Sequence, residues 1–142
     1  MPREIGLVSC VSRKRDDPAK PHALYTSSYF EKMRAYADAN HDSWYILSAK
    51  YGLLDPDGEP IDPYDETLTE ATRDEKRQWA TQVFEALREE GLLGDDTTLV
   101  FHAGKDYYED LLPHLKDTPA SVEIPTEGLR IGEKQAWYND RL

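Results

Sequence analysis

Trp44-Tyr45-Ile46-Leu47 runs directly into Ser48-Ala49-Lys50-Tyr51-Gly52-Leu53-Leu54-Asp55-Pro56, and the chain continues through Ile61-Asp62-Pro63-Tyr64-Asp65. The first four residues are a short uncharged run of bulky side chains, the pattern of a buried strand. After Leu47 the chain leaves regular structure for about twenty residues, and connections of that length inside a domain are either functional or disordered. This one is rich in Tyr, Leu, Ile and Pro, which opposes disorder. It reads as an ordered loop that builds a site at the end of a strand.

Working outward, the same strand-then-helix alternation extends in both directions. Upstream, Ile5-Gly6-Leu7-Val8-Ser9-Cys10 fits a central, buried parallel strand. Residues 11–26 are polar, contain Pro18 and Pro21, and read as a loop. Ser27 or Ser28 caps a helix running to about Asn40, with Glu31 completing a capping box from Ser28. Tyr29, Phe30, Met33, Tyr36 and Ala37 supply its apolar stripe. Downstream, Thr69 to Glu90 reads mostly as helix. Trp79, Ala80, Val83, Phe84 and Leu87 recur at helical spacing, and Gly91 stops it. Thr97 to His102 is a third strand. Asp106 is expected to cap a helix carrying Tyr107, Leu111, Leu112 and Leu115, Ser121 to Ile124 is a short edge strand, and a last helix starts near Glu133. Alternation of this kind implies crossover connections and a parallel sheet. The expected fold is a single α/β domain over residues 1–142. It is a three-layer, Rossmann-like sandwich with a mostly parallel sheet of about four strands and helices on both faces.

Composition bounds the function. The chain has 142 residues, enough for one core, and no apolar run long enough to cross a bilayer. Met1-Pro2-Arg3-Glu4 enters the first strand with no cleavage-site signature, so a cytoplasmic protein is expected, without a membrane partner. Cys10 is the single cysteine, which excludes an internal disulfide and a cysteine zinc site. The net charge of −11 opposes non-specific attraction to nucleic acid or anionic membrane. It is unevenly spread: residues 1–34 hold seven Lys/Arg against four Asp/Glu, and residues 35–142 hold ten against twenty-four. The positive excess lies in Arg13-Lys14-Arg15 and Lys20, and the acidic remainder reads as solvated surface.

Ligands of open parallel sheets bind outside the carboxyl ends of the strands. Here those ends carry Ser9, Cys10, Ser12 and Lys14, then Ser48, Lys50 and Tyr51, then His102, Gly104 and Lys105, and finally Pro125, Thr126 and Glu127. Three lysines near one rim, beside a helix start at Ser27 or Ser28, suit a small anionic ligand. Gly104-Lys105 is not a P-loop, no G-x-G-x-x-G supports a dinucleotide, and no H-E-x-x-H is present, so no cofactor and no metal is expected. Cys10 admits two readings. It is a small buried hydrophobe at a strand end, or a nucleophile whose thiolate Lys14 and loop N–H groups favour. His102 likewise reads as its base or as a satisfied core histidine. Asp65 and Glu127 are candidate carboxylates for the amine or amide donors of a base-like ligand.

These residues resemble a family of small bacterial, archaeal and phage domains of unknown function. The likeness is carried by Ser9-Cys10 with Lys14, Leu24-Tyr25-Thr26-Ser27, Leu47 to Leu54, Pro63-Tyr64-Asp65 with Leu68, and Gly128-Leu129-Arg130-Ile131-Gly132. More distantly, Tyr51-Gly52-Leu53-Leu54 and Ile61-Asp62-Pro63-Tyr64 resemble the YaaA peroxide-stress family, which is associated with DNA binding and lacks a counterpart of Cys10. Cys10, Lys14, Tyr25, Ser27 and Tyr64-Asp65 are similar to the catalytic core of archaeosine synthase, which modifies a deazaguanine base in tRNA. That resemblance implies an enzyme, a transferase or lyase, directed at a (deaza)purine-type base, nucleotide or modified nucleoside. Cys10, Lys14, Lys50 and Asp65 would be catalytic. Ser9, Ser12, Tyr25, Ser27, Ser48, Tyr51, His102, Gly104, Lys105 and Glu127 would hold the substrate. The YaaA likeness implies the alternative, a nucleic-acid-binding protein in DNA protection, with Arg13, Lys14, Arg15 and Lys20 on phosphates and Tyr25 or Tyr51 stacking on bases.

Overall fold

The computed structural model describes residues 2–11 and 14–142, and Ser12 of the expected rim and Arg13 of the expected basic patch lie outside the described residues. Five strands form one sheet in the order β3-β2-β1-β4-β5. β1 (Arg3–Ser9) sits at the centre, parallel to β2 (Ser43–Ser48) on one side and β4 (Thr97–His102) on the other. β5 (Ser121–Glu123) extends the sheet in parallel beyond β4. The fold is the expected mixed α/β sandwich with a mostly parallel sheet.

The fifth strand is a correction. Gly52–Leu54 folds back as an antiparallel edge strand, β3, on β2, pairing Ser48 with Gly52 and Ile46 with Leu54. The turn needs a residue tolerant of the left-handed region, and Gly52 supplies it at φ 74°. The Ser48 side chain steadies the turn by accepting the Tyr51 N–H at 3.0 Å. A run of three residues carries too little periodicity to be separated from a loop in the sequence.

α2 (Ser28–Asn40) and α5 (Ile131–Asn139) pack together on one face. α3 (Arg73–Glu89) and the single-turn α4 (Leu112–Leu115) cover the other. A further single turn, α1 (Pro21–Leu24), lies within the stretch expected to be loop. Gly6 marks which face α2 covers: a Cβ there would sit 2.7 Å from His41 Cδ2 and 3.4 Å from Ala37 Cβ. Between the layers Ile5, Leu7, Ile46, Leu47, Leu99 and Phe101 are buried. Each contributes about 1.5–3 kcal/mol of hydrophobic stabilisation relative to exposure.

Helix ends differ in detail from expectation. Ser27, not Ser28, caps α2, accepting the Phe30 N–H at 3.1 Å, so Glu31 completes no capping box. The reciprocal box is at α3, between Thr72 and Glu75. Asp106 caps no helix. It pairs with Lys76 of α3 at 2.7 Å, while Gly104 opens a 3-10 turn over Lys105–Tyr107.

Candidate functional site

The centre of the site is Cys10, one residue past β1. Its N–H donates to Leu47 O at 2.9 Å, which carries the β1–β2 ladder one step further and fixes where the side chain emerges. Two groups from other strand ends meet its sulfur. The Ala49 N–H, just past β2, points at Sγ from 3.4 Å, and the Tyr107 hydroxyl, in the turn after β4, lies 3.3 Å away. Both are suited to donate to a thiolate.

Lys14 comes back over this rim because residues 14–25 form a tied loop. Lys14 pairs with Tyr25 in an antiparallel bridge, and the Arg15 N–H donates to Leu24 O at 2.9 Å. The ammonium lies over two aromatic faces, 4.4 Å from the Tyr64 ring centroid and 5.7 Å from that of Tyr25. Burial holds its pKa below the usual lysine value, and the opposing pull of Cys10, Asp65 and Glu66 offsets only part of that. Lys14 is thus the cation electrostatically coupled to the thiol.

Beneath it lies a row of buried hydroxyls. Ser48 Oγ donates to Tyr64 OH at 2.7 Å, and Tyr64 OH meets Tyr25 OH at 2.5 Å. The Ser48 carbonyl accepts the Trp79 indole N–H at 2.7 Å, which anchors the strand end to α3. Burial is the first cause raising the pKa values of Tyr25, Tyr64 and Tyr107, so all three stay protonated near neutral pH.

The sulfur faces a concavity of about 260 Å³ lined by Cys10, Val11, Glu66, Thr67, Thr69 and Tyr107. A second hollow of about 280 Å³ adjoins it through the shared Glu66 and Thr67 and reaches Ala49 and Trp79. Together they provide one thiol, the three carboxylates of Glu66, Glu70 and Glu75, hydroxyls and aromatic walls. A larger hollow of about 330 Å³ lies elsewhere, around the start of β2, and is lined mainly by Asp38, Asp42, Asp55, Asp57, His41 and Trp44. Among the described residues no group of three or more His, Cys, Asp or Glu is placed to hold a metal ion.

Of the residues expected at the rim, Cys10, Lys14, Tyr25, Ser48 and Tyr51 come together, Tyr51 packing edge-on against Tyr64 with centroids 5.6 Å apart. Ser9 is buried within β1, and the Ser27 side chain is occupied as a helix cap. Asp65 is exposed and acts on Lys14 electrostatically. Lys50 is exposed, its ammonium 5.4 Å from the Tyr51 ring.

Three expectations need correction. Lys105 points to solvent, 3.9 Å from Glu109, and Gly104 only opens a turn, so three lysines do not converge. Glu127 is exposed and acts on Tyr108, whose pKa burial raises first. His102 is not a base for Cys10: it is fully buried, with Nε2 bonded to His41 and Nδ1 to Tyr138. Burial, then His41, lowers its pKa to about 3. The residues missed were Tyr107, Tyr64, Glu66, Thr67 and Thr69. Tyr64 stands inside the Pro63-Tyr64-Asp65 motif, and Tyr107 lies just past a strand end, so position alone could have flagged both.

No helix among the described residues is long and apolar enough to cross a membrane. No solved structure matches the chain. The Uncharacterized protein YfjM of Bacillus subtilis (strain 168) is 34% identical over 111 residues, spanning 74% of this chain and 72% of that protein. A family model described as a family of unknown function, DUF6884, matches residues 5–140, essentially the whole sheet with the helices that carry the rim. The chain belongs to that family of unknown function.

Proposed function

We propose that the protein is a thiol-dependent enzyme acting on a base-like, amino-bearing small molecule or nucleoside, with Cys10 as its nucleophile. The observation that carries this reading is the placement of Sγ at the mouth of a concavity with Ala49 N–H and Tyr107 OH directed at it. A buried structural cysteine needs neither of those donors nor a coupled lysine. Ala49 N–H points at the sulfur, and the Lys14 ammonium interacts with it electrostatically. The thiolate adds to the carbon of a C≡N or C=N group, forming a C–S bond as the π pair moves to nitrogen. That nitrogen takes a proton from the Tyr107 hydroxyl, which sits beside the sulfur and is held protonated by burial.

Glu66 belongs to the substrate-holding side. Its carboxylate borders both hollows and accepts amino or ring N–H donors, with Thr67 and Thr69 completing the polar edge. Such a polar edge facing an aromatic wall suits a planar heterocycle. The motif-level resemblance to the archaeosine synthase core supports the same substrate class. The nucleic-acid-binding alternative is less favoured: Lys14, a central member of its basic patch, lies over the Tyr64 and Tyr25 rings, and the net charge is −11.

Incubation with a cyano-substituted deazapurine, with intact-mass spectrometry and peptide mapping as the readout, tests the proposal. The expected result is a gain of one ligand mass on Cys10, absent in Cys10→Ala and slowed in Tyr107→Phe. No adduct on the unmodified chain, together with no Cys10-dependent turnover of nitrile or amidine bases, refutes it.

A further inference from the structure

On the face covered by α2 and α5, four side chains form one unbroken line of hydrogen bonds separate from the Cys10 cluster. Glu4 Oε1 meets His41 Nδ1 at 2.5 Å, His41 Nε2 meets His102 Nε2 at 2.8 Å, and His102 Nδ1 meets Tyr138 OH at 2.7 Å. His102 and Tyr138 are fully buried, whereas the Glu4 side chain is 42% exposed. Tyr36 stands edge-on to both imidazoles, with centroids 5.6 and 5.3 Å away.

Counting hydrogens decides who donates. A neutral imidazole carries one N–H, and an ionised carboxylate only accepts. His41 therefore holds its hydrogen on Nδ1, toward Glu4. Its Nε2 is then an acceptor, so His102 donates from Nε2. That leaves His102 Nδ1 as an acceptor for the Tyr138 O–H. Every contact is satisfied with both rings neutral. One group adjoins the end of the line: Thr126 Oγ1 is buried, and its one polar neighbour is the Tyr138 hydroxyl, whose ionisation it favours as a donor to that oxygen would.

We propose that this line is a one-proton switch, in which uptake of a single proton reverses its hydrogen bonds and turns the Tyr138 hydroxyl onto Thr126. In the protonated state the hydrogen between the rings sits on His41, which becomes an imidazolium donating to both Glu4 and His102. His102 stays neutral, carries its hydrogen on Nδ1 and donates to the Tyr138 oxygen. The count rises from three hydrogens to four, the fourth being the Tyr138 hydroxyl hydrogen now directed at Thr126.

The charge resides on His41 because Glu4 touches that ring and because the surroundings are acidic. Asp38 of α2, Asp42 after it, and Asp55 and Asp57 from the loop after β3 line the same hollow as His41. Tyr36 from α2 and Tyr138 from α5 are neutral groups against the pair, and Tyr29 of α2 acts on Tyr138. Burial and the His41 neighbour disfavour a charge on His102. The consequence is mechanical: between Tyr138 of α5 and Thr126 in the turn after β5 the donor is the Thr126 hydroxyl in the neutral state and the Tyr138 hydroxyl in the protonated one, so the contact that docks the last helix reverses with pH.

Long-range proton–nitrogen correlation spectra of the nitrogen-15-labelled full chain, recorded from pH 8 to pH 4, test this. At pH 8 His41 should be the Nδ1–H tautomer and His102 the Nε2–H tautomer. On acidification the two rings should share one midpoint, His41 becoming doubly protonated while His102 changes tautomer and stays neutral. Thr126→Val should keep the pH 8 tautomers and lower the midpoint by about one unit, because only the protonated state is then left with a buried Tyr138 O–H that has no acceptor. Four results each overturn the proposal: His102 with Nδ1–H at pH 8, independent midpoints, a His102 imidazolium, or two rings that stay neutral until the chain unfolds. An unshifted midpoint in Thr126→Val does the same, and if that variant does not fold the tautomers of the unaltered chain decide alone.

Discussion

Removing one oxygen from the centre of the rim, by Tyr64→Phe, should cost far more than an average surface change. The Tyr64 hydroxyl is the partner of Ser48 Oγ at 2.7 Å and of Tyr25 OH at 2.5 Å, and the residues carrying those groups are 0% and 1% exposed. Phe keeps the ring, and with it the cation–π seat of Lys14 and nearly all the apolar burial. What is lost is the pairing of two buried hydroxyls. A buried donor or acceptor left unsatisfied costs about 1–3 kcal/mol. Ser48 Oγ retains the Tyr51 N–H, so the low end applies there, and the sum is about 2–4 kcal/mol. Urea unfolding should show a lower midpoint with an unchanged slope. The double variant Tyr25→Phe/Tyr64→Phe should lose about 1–2 kcal/mol less than the two single changes added together, because the second change removes a group the first had orphaned. Additive losses, or a Tyr64→Phe cost below about 0.5 kcal/mol, would mean that this hydroxyl row does not hold the rim together.

Gly6→Ala should destabilise by about 1–3 kcal/mol through overpacking, since the new Cβ would lie 2.7 Å from His41 Cδ2 and 3.3 Å from Trp44 Cβ. Gly132→Ala, whose Cβ meets nothing within 4 Å inside α5, should instead be neutral or stabilising by up to about 1 kcal/mol; equal thermal shifts in the two variants would refute the packing argument. Stability should also fall with acidification through His102. Its folded pKa is lowered to about 3 from 6.5, so the folded state binds fewer protons than the unfolded chain between those values. The stabilisation present above pH 6.5 is then lost as pH falls toward 3, with a slope approaching 1.4 kcal/mol per pH unit from this ring. Urea midpoints measured from pH 8 to pH 4 should show that slope shrink in His102→Gln, which keeps the same carboxylates, and an identical slope would refute it.

Much of the scaffold was legible before any coordinates. Trp44–Leu47, Ile5–Ser9 and Thr97–His102 are uncharged, bulky runs separated by helical periodicity, and local pattern suffices to order them as parallel strands. Gly91 ends α3 with φ 72°, as a stop glycine should. Local pattern was weakest where an element is very short: β3, α1 and α4 each span four residues or fewer and carry no usable period.

The sequence by itself determined the α/β sandwich, the ends of the strands at which polar side chains gather, and the placement of Cys10 on one of them, because these depend on periodicity along the chain. Only the tertiary structure decided which of those side chains meet. Lys14 reaches the rim through a loop tied by Tyr25, Tyr107 reaches the sulfur from a turn ninety-seven residues away, and Lys105 from the same turn points outward. His102, at the end of a strand beside β1, was drawn into a line with Glu4, His41 and Tyr138. The physical reason is that contact partners are set by sheet register, by the alternation of side chains between the two faces, and by how the helices close over each face. None of these is encoded in the spacing of any one segment.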